Sequence, residues 1–193
     1  MNKNAAKANA TKQKLCDAFM ELYEKKDINR ISIRDITDLA GYNRGTFYLY
    51  FLDIYDMFDQ IKTEMLDQLT ELYQSVEINN KTFSIEAVTE IILKFLQKNE
   101  KYFIAFALND ATLISSIIKT ARPVLYKTFG ITSANDDQKD ELDFILEYHY
   151  SAVIYTINFW VKKGKPCPIE KLSDIIFEIA SRGAITLLRE KGL

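Results

Sequence analysis

Arg44, Thr46, Tyr48 and Tyr50 lie within a single seven-residue stretch and offer a guanidinium, a hydroxyl and two phenols. Groups of this kind reach phosphate oxygens and the hydrogen-bonding edges of bases. Asn43 and Arg34 add an amide and a second guanidinium nearby, and Leu49 supplies an apolar tip able to meet a thymine methyl. Gly45 sits among them, where it lowers helix propensity by roughly 1 kcal/mol and lets the backbone come close to a partner. A helix with only a structural role has little reason to accept that cost. The set predicts a face for a nucleic-acid duplex, with Arg34, Arg44 and Thr46 toward base edges and Asn43, Tyr48 and Tyr50 toward phosphates.

Other chemistry finds no constellation to work with. His149 is the single histidine, flanked by Tyr148 and Tyr150, with no second histidine, cysteine pair or carboxylate at ligand spacing. It reads as a core or pocket side chain rather than a metal ligand or catalytic base. The acids at Asp136, Asp137, Glu141 and Asp143 fall in a loop or at a helix start, where they favour the helix dipole. No phosphate-cradling glycine loop, nucleophile elbow or metalloprotease motif occurs. The expectation is a protein with no catalytic residues, no cofactor and no metal.

The elements that would present the polar set are readable from their caps. Ser32 precedes a helical run and Asp35 lies three residues on, so the hydroxyl can cap the helix while the carboxylate faces its N-terminal dipole. Ile31 and Ile36 occupy the two staple positions across that cap. Ile33, Ile36 and Ala40 repeat at helical spacing, and Gly41 supplies the left-handed stop. After Tyr42, Asn43 caps a second helix that carries Phe47 and Phe51 on its inner side. Two short helices joined by about three residues containing a glycine form a helix-turn-helix.

The segment from Thr11 to about Met57 resembles the DNA-binding motif of the TetR family of transcriptional regulators. It carries that motif as ISIRDITDLAGYNRGTFYLYF, with the AG pair, the N-cap, the following glycine and the aromatic YLYF in register. Tyr42 stands where members usually have a small aliphatic residue, and Asn43 replaces a serine. Ile54 stands where many members carry a phosphate-binding lysine. One lost phosphate contact lowers affinity and flattens the salt dependence by about one unit of slope. The resemblance implies a palindromic double-stranded DNA operator, a homodimer, repression and a small, largely apolar effector. The competing reading is an interaction protein of the same fold whose DNA binding is weak or lost, and Ile54 is its main support.

Size and composition agree with an all-α chain. It has 193 residues, 48% of them hydrophobic, and only six glycines and three prolines. That supplies a sizeable core and few helix breakers. No apolar run approaches the length of a membrane span, the N-terminus lacks the apolar region of a signal peptide, and Cys16 and Cys167 have no redox or metal spacing. A cytoplasmic protein with reduced thiols is expected. Residues 1–52 hold nine Lys/Arg and six Asp/Glu, a net +3, and the remainder carries −5. A modestly basic head on an acidic body suits a DNA-binding unit joined to one that avoids DNA.

Two domains are therefore expected, a helix-turn-helix head over residues 1–52 and a helical effector-binding and dimerisation body over 53–193, with about nine helices in all. Leu15, Ala18, Phe19, Leu22 and Tyr23 predict a helix over 11–26 that completes a three-helix head, preceded by a mobile arm. An apolar stripe from Met57 through Ile61, Met65, Leu69 and Tyr73 to Val76 predicts a long helix linking the two parts. Loops are expected at 79–82 and 131–137, with Thr82 or Ser84 capping the next helix, and Pro123 is expected in the first turn of a separate helix. Phe95, Tyr102, Phe103, Phe106, Tyr126, Phe144, Tyr148 and Trp160 combine apolar surface with phenol and indole groups, the character of an effector pocket between helices. The last two helices, 138–163 and 169–191, are separated by GKPCP. The first is apolar on most faces and the second has a stripe containing small residues. Tyr155, Phe159, Ile176, Ile179, Ala180, Gly183 and Leu187 are expected at a dimer interface.

Overall fold

In the computed structural model, residues 3–78, 85–128 and 136–183 are described. Among these residues the secondary structure is entirely helical. The helices are α1 (Lys3–Tyr23), α2 (Ile33–Ala40), α3 (Arg44–Tyr48), α4 (Ile54–Ile78), α5 (Ile85–Lys98), α6 (Glu100–Asn109), α7 (Leu113–Thr128), α8 (Asp136–Lys162) and α9 (Ile169–Arg182), with a 3-10 turn at Ile28–Arg30 between α1 and α2. The chain forms two compact units, residues 1–65 and 66–193. The division falls inside α4, later than the position expected from the motif alone, because the first turns of α4 bury Met57, Ile61 and Met65 in the first unit.

The first unit is built around the aromatic and aliphatic residues that the periodicity selects. Leu15, Phe19 and Tyr23 of α1 are buried with Ile36 of α2, Phe47 of α3 and Phe51 just beyond it. Phe19 stacks on Tyr23 at 5.7 Å, and Tyr23 meets the edge of Phe58 at 5.5 Å. Lys12 reaches from α1 to Glu64 of α4 at 2.6 Å. The helix α1 starts eight residues earlier than the apolar stripe predicts and ends three sooner. Alanines at 5, 6, 8 and 10 carry high helix propensity, so the arm continues the helix rather than leaving it as coil.

In the second unit α5 packs on α9, α6 and α7 pack on α8, and α8 packs on α9. Phe95, Leu96, Phe103, Phe106, Ile117, Leu125, Tyr150 and Ile157 form its interior. Pro123 lies within α7 instead of opening a new helix. The ring removes one backbone bond, to the carbonyl four residues back, and Pro123 is on the exposed side of the helix. The α8–α9 turn uses Gly164 and Lys165 in the left-handed region and is fixed by Trp160 Nε1, which donates to the Cys167 carbonyl at 2.9 Å. Both cysteines are free, and burial pushes the Cys16 thiol up to about 12. The expected loop at 79–82, the caps at Thr82 and Ser84, most of the expected loop at 131–137, and the chain beyond Gly183 lie outside the described residues.

Candidate functional site

The caps around the helix-turn-helix are made as their residue types dictate. Asp35 N–H donates to Ser32 Oγ at 3.1 Å, and Ser32 N–H donates to Asp35 Oδ2 at 2.9 Å. That backbone bond, then Lys26 at 3.1 Å, then the Ser32 hydroxyl hold the Asp35 carboxyl at about 2. Ile31 and Ile36 are both buried across the cap. Gly41 takes φ +75° and its N–H closes the helix onto the Thr37 carbonyl. Asn43 Oδ1 then accepts from Thr46 N at 2.9 Å and from Thr46 Oγ1 at 3.2 Å, which starts α3. A side chain at position 45 would bring a Cβ within 3.2 Å of that same Asn43 oxygen, so glycine also protects the cap.

The helix α3 is a short one with a clear division of faces. Phe47 is fully buried, and Phe51, just past the helix, contacts it at 5.4 Å between ring centres. Arg44, Gly45, Tyr48 and Leu49 are exposed, Thr46 and Tyr50 are half-buried, and Asn43 is exposed beside them. Tyr48 meets the Phe47 ring edge-on at 5.7 Å, which props the phenol outward. Arg34 on α2 is exposed and its Nε lies 3.3 Å from Asp38 Oδ2. Among the described residues Arg44 makes no ion pair.

Residues that the motif does not single out complete this surface. Asp38 is four residues past Arg34, the spacing at which opposite charges meet on a helix, so that signal is present in the sequence. Leu39, Leu52 and Tyr55 are exposed large side chains, and the Tyr55 hydroxyl donates to Asn29 Oδ1 at 2.8 Å. Ile54, half-buried, is the first residue of α4. Around it Asp56 N–H donates to Asp53 Oδ1 at 2.8 Å, and Leu52 N–H donates to Asp56 Oδ2 at 2.8 Å. Two carboxylates therefore stand at this helix start with no lysine at position 54.

The aromatic set of the second unit separates into two groups. Phe95, Phe103, Phe106 and Trp160 are buried, with Phe95 edge-on to Phe103 at 6.2 Å. Tyr102 and Tyr126 are half-buried, and Asp143 Oδ1 accepts from the Tyr126 hydroxyl at 3.1 Å and from Arg122 Nε at 2.8 Å. Phe144 and Tyr148 are 76% and 79% exposed. They do not join the interior group, because α8 turns that side away from α6 and α7. They belong with Tyr155, Phe159 and Ile179, which are exposed too.

Between α8 and α9 lies a groove of about 340 Å³, lined by Ile145, Tyr148, His149, Ala152, Val153, Thr156, Ile176, Ile179, Ala180 and Gly183. Ile176 forms part of its buried floor, Ala180 is half-buried, and Gly183 ends α9 at φ +77°; Leu187 lies outside the described residues. His149 Nε2 is 3.0 Å from Thr89 Oγ1, and burial lowers the imidazole below its ordinary value. Among the described residues no cluster of metal-ligating side chains occurs, and no single helix is long and apolar enough to cross a membrane.

Residues 15–61 match the family described as bacterial regulatory proteins, tetR family, and residues 83–182 match a transcriptional regulator C-terminal region of the same family. The fold is similar to that of the fatty acid degradation regulator FadR from Bacillus halodurans, with TM-score 0.66 and 17% identity over 90% of this chain and 96% of that one. It is similar also to FadR from Bacillus subtilis in complex with stearoyl-CoA, with TM-score 0.62 and 20% identity over 89% and 98%. A tetR-family regulator from Streptomyces coelicolor matches with TM-score 0.58 and 16% identity over 95% and 85%. With its helix-turn-helix and its C-terminal region both matched, the chain belongs to the TetR family of transcriptional regulators.

Proposed function

We propose that this chain acts in the cytoplasm as a homodimeric repressor that binds a palindromic duplex operator and is released by a small, largely apolar effector. The observation that carries the reading is the division of α3: Phe47 is locked in the core while Arg44, Tyr48 and Leu49 project from the surface. In this reading Arg34, Arg44 and Thr46 approach base edges, Asn43, Tyr48 and Tyr50 hold phosphates, Gly45 lets the backbone close on the duplex, and Leu49 meets a thymine methyl. A second copy covers the apolar side of α8 and α9, where Tyr155, Phe159 and Ile179 stand exposed around the groove. A two-fold dimer of this kind presents two heads to two half-sites.

The effector site in this reading lies among Phe95, Phe103, Phe106 and Trp160, with Tyr102 and Tyr126 toward its edge. The stearoyl-CoA held by the Bacillus subtilis relative makes a long acyl chain the first ligand class to try. Ligand binding releases DNA only through a preference for one arrangement of the two heads over the other.

A second reading, an interaction protein with weak DNA binding, draws on two observations. Arg34 is paired with Asp38, and α4 starts with Ile54 between carboxylates. Electrophoretic mobility shift on the region upstream of the chain's own gene separates the two. Tight, salt-sensitive binding is the expected result, and no shift at low salt overturns the repressor reading in favour of the second.

A further inference from the structure

Helix α2 is fixed at both ends, by the Ser32–Asp35 box at its start and by Gly41 at its stop. On its exposed side Arg34 Nε donates to Asp38 Oδ2 at 3.3 Å, one turn along. Asp35, the carboxylate beside Arg34 in the chain, is taken by the Ser32 backbone and by Lys26. Among the described residues the Asp38 side chain bonds to Arg34 alone. Asp38 lies in the last turn of α2, where a carboxylate faces the negative end of the helix dipole, so the helix itself gains nothing from it.

That carboxylate has two separable effects on a bound duplex. Its charge opposes phosphates and lowers affinity for every sequence alike. Its hydrogen bond acts on one arginine. A guanidinium is planar and rigid, with Nε on one edge and the two terminal nitrogens forming a fork. With Nε engaged, the part left to project is the fork of Nη1 and Nη2, a donor pair that matches O6 and N7 of guanine in the major groove. An exposed pair of this kind is held loosely in water, and it tightens where a duplex excludes water from it. We propose that Asp38 is a positioning residue that presents Arg34 fork-first to a guanine in each half-site, lowering general affinity while sharpening discrimination at that base pair. This role rests on the repressor reading above. The second reading treats the same ion pair as a charge withdrawn from the duplex, and the two forecast opposite results when it is removed.

The test uses the full chain and a duplex that the wild type selects from random sequences, beside duplexes with each guanine of the half-site replaced in turn. Arg34→Ala first identifies the guanine whose discrimination depends on Arg34. Asp38→Ala and Asp38→Asn then remove the same charge, but asparagine keeps an oxygen able to accept from Nε. Both variants should bind the mismatched duplex more tightly than the wild type does. Asp38→Ala should lose about fivefold or more in the ratio of matched to mismatched affinity at that guanine, whereas Asp38→Asn should stay within about twofold of the wild-type ratio. In the Arg34→Ala background neither change should move the ratio. Equal ratios for Asp38→Ala and Asp38→Asn, or a ratio that rises when the pair is removed, overturn the proposal; the rise is what charge withdrawal forecasts. A wild-type chain that selects no duplex sinks the repressor reading itself. One that selects a duplex in which no guanine depends on Arg34 sinks only the role of Asp38.

Discussion

Asn43 has its side-chain oxygen engaged by Thr46 twice, at the backbone and at the hydroxyl, so its amide nitrogen is the part left for a phosphate. Arg44 beside it has no such internal engagement among the described residues. Arg44→Ala should therefore weaken operator binding by about 1–3 kcal/mol and relax discrimination at the base pair it contacts. Fluorescence anisotropy with matched and mismatched duplexes checks both effects. Asp35 makes a separate prediction. Its carboxyl is held at about 2, below the ordinary 3.8, chiefly by the Ser32 backbone N–H. The unfolded chain binds a proton there first as pH falls, so the stabilisation is present above the ordinary value and is lost as pH drops through the folded one. Asp35→Asn should lower stability at neutral pH and flatten the fall in stability between about pH 4 and pH 2. Urea unfolding across that range measures it.

Helix α4 gives the next prediction at its first residue. Ile54 stands among the carboxylates of Asp53 and Asp56, which cap the helix and oppose a nearby phosphate. Ile54→Lys should raise duplex affinity and steepen the salt dependence by about one unit of slope, read from titrations at several salt concentrations. Elements whose ends are set by local chemistry are legible in the sequence. Ser32, Gly41 and Asn43 make their caps within three or four residues, so tertiary packing has little to add. Helix α7 is less legible. A proline usually breaks a helix, and only the exposure of Pro123 explains why α7 runs through it. The extension of α1 likewise rests on alanine propensity, which an apolar stripe does not register.

Across the molecule, the sorting of aromatic residues on α8 is the part that periodicity leaves open. A helix apolar on most of its circumference does not say which side meets its own chain. Phe144 and Tyr148 face outward while Tyr150 and Trp160 face inward, a distinction made by where α6, α7 and α9 lie. In the dimeric reading the outward side is covered by a second copy. Phe159→Glu should then convert dimer to monomer in light scattering after gel filtration, without lowering the unfolding temperature of the monomer. It should also cost at least tenfold in operator affinity, because two half-sites are no longer gripped together. A monomeric wild-type chain would remove that prediction's basis.

The central claim is that the exposed side of α3 grips a duplex, and selection from a pool of random duplexes tests it most directly. The wild-type chain should enrich inverted half-sites whose centres lie about one helical turn, or a multiple of it, apart, and Arg44→Ala should enrich them more weakly, with the base pair that Arg44 contacts no longer selected. No enrichment by the wild type at low salt, or the same enrichment by Arg44→Ala, would contradict the claim.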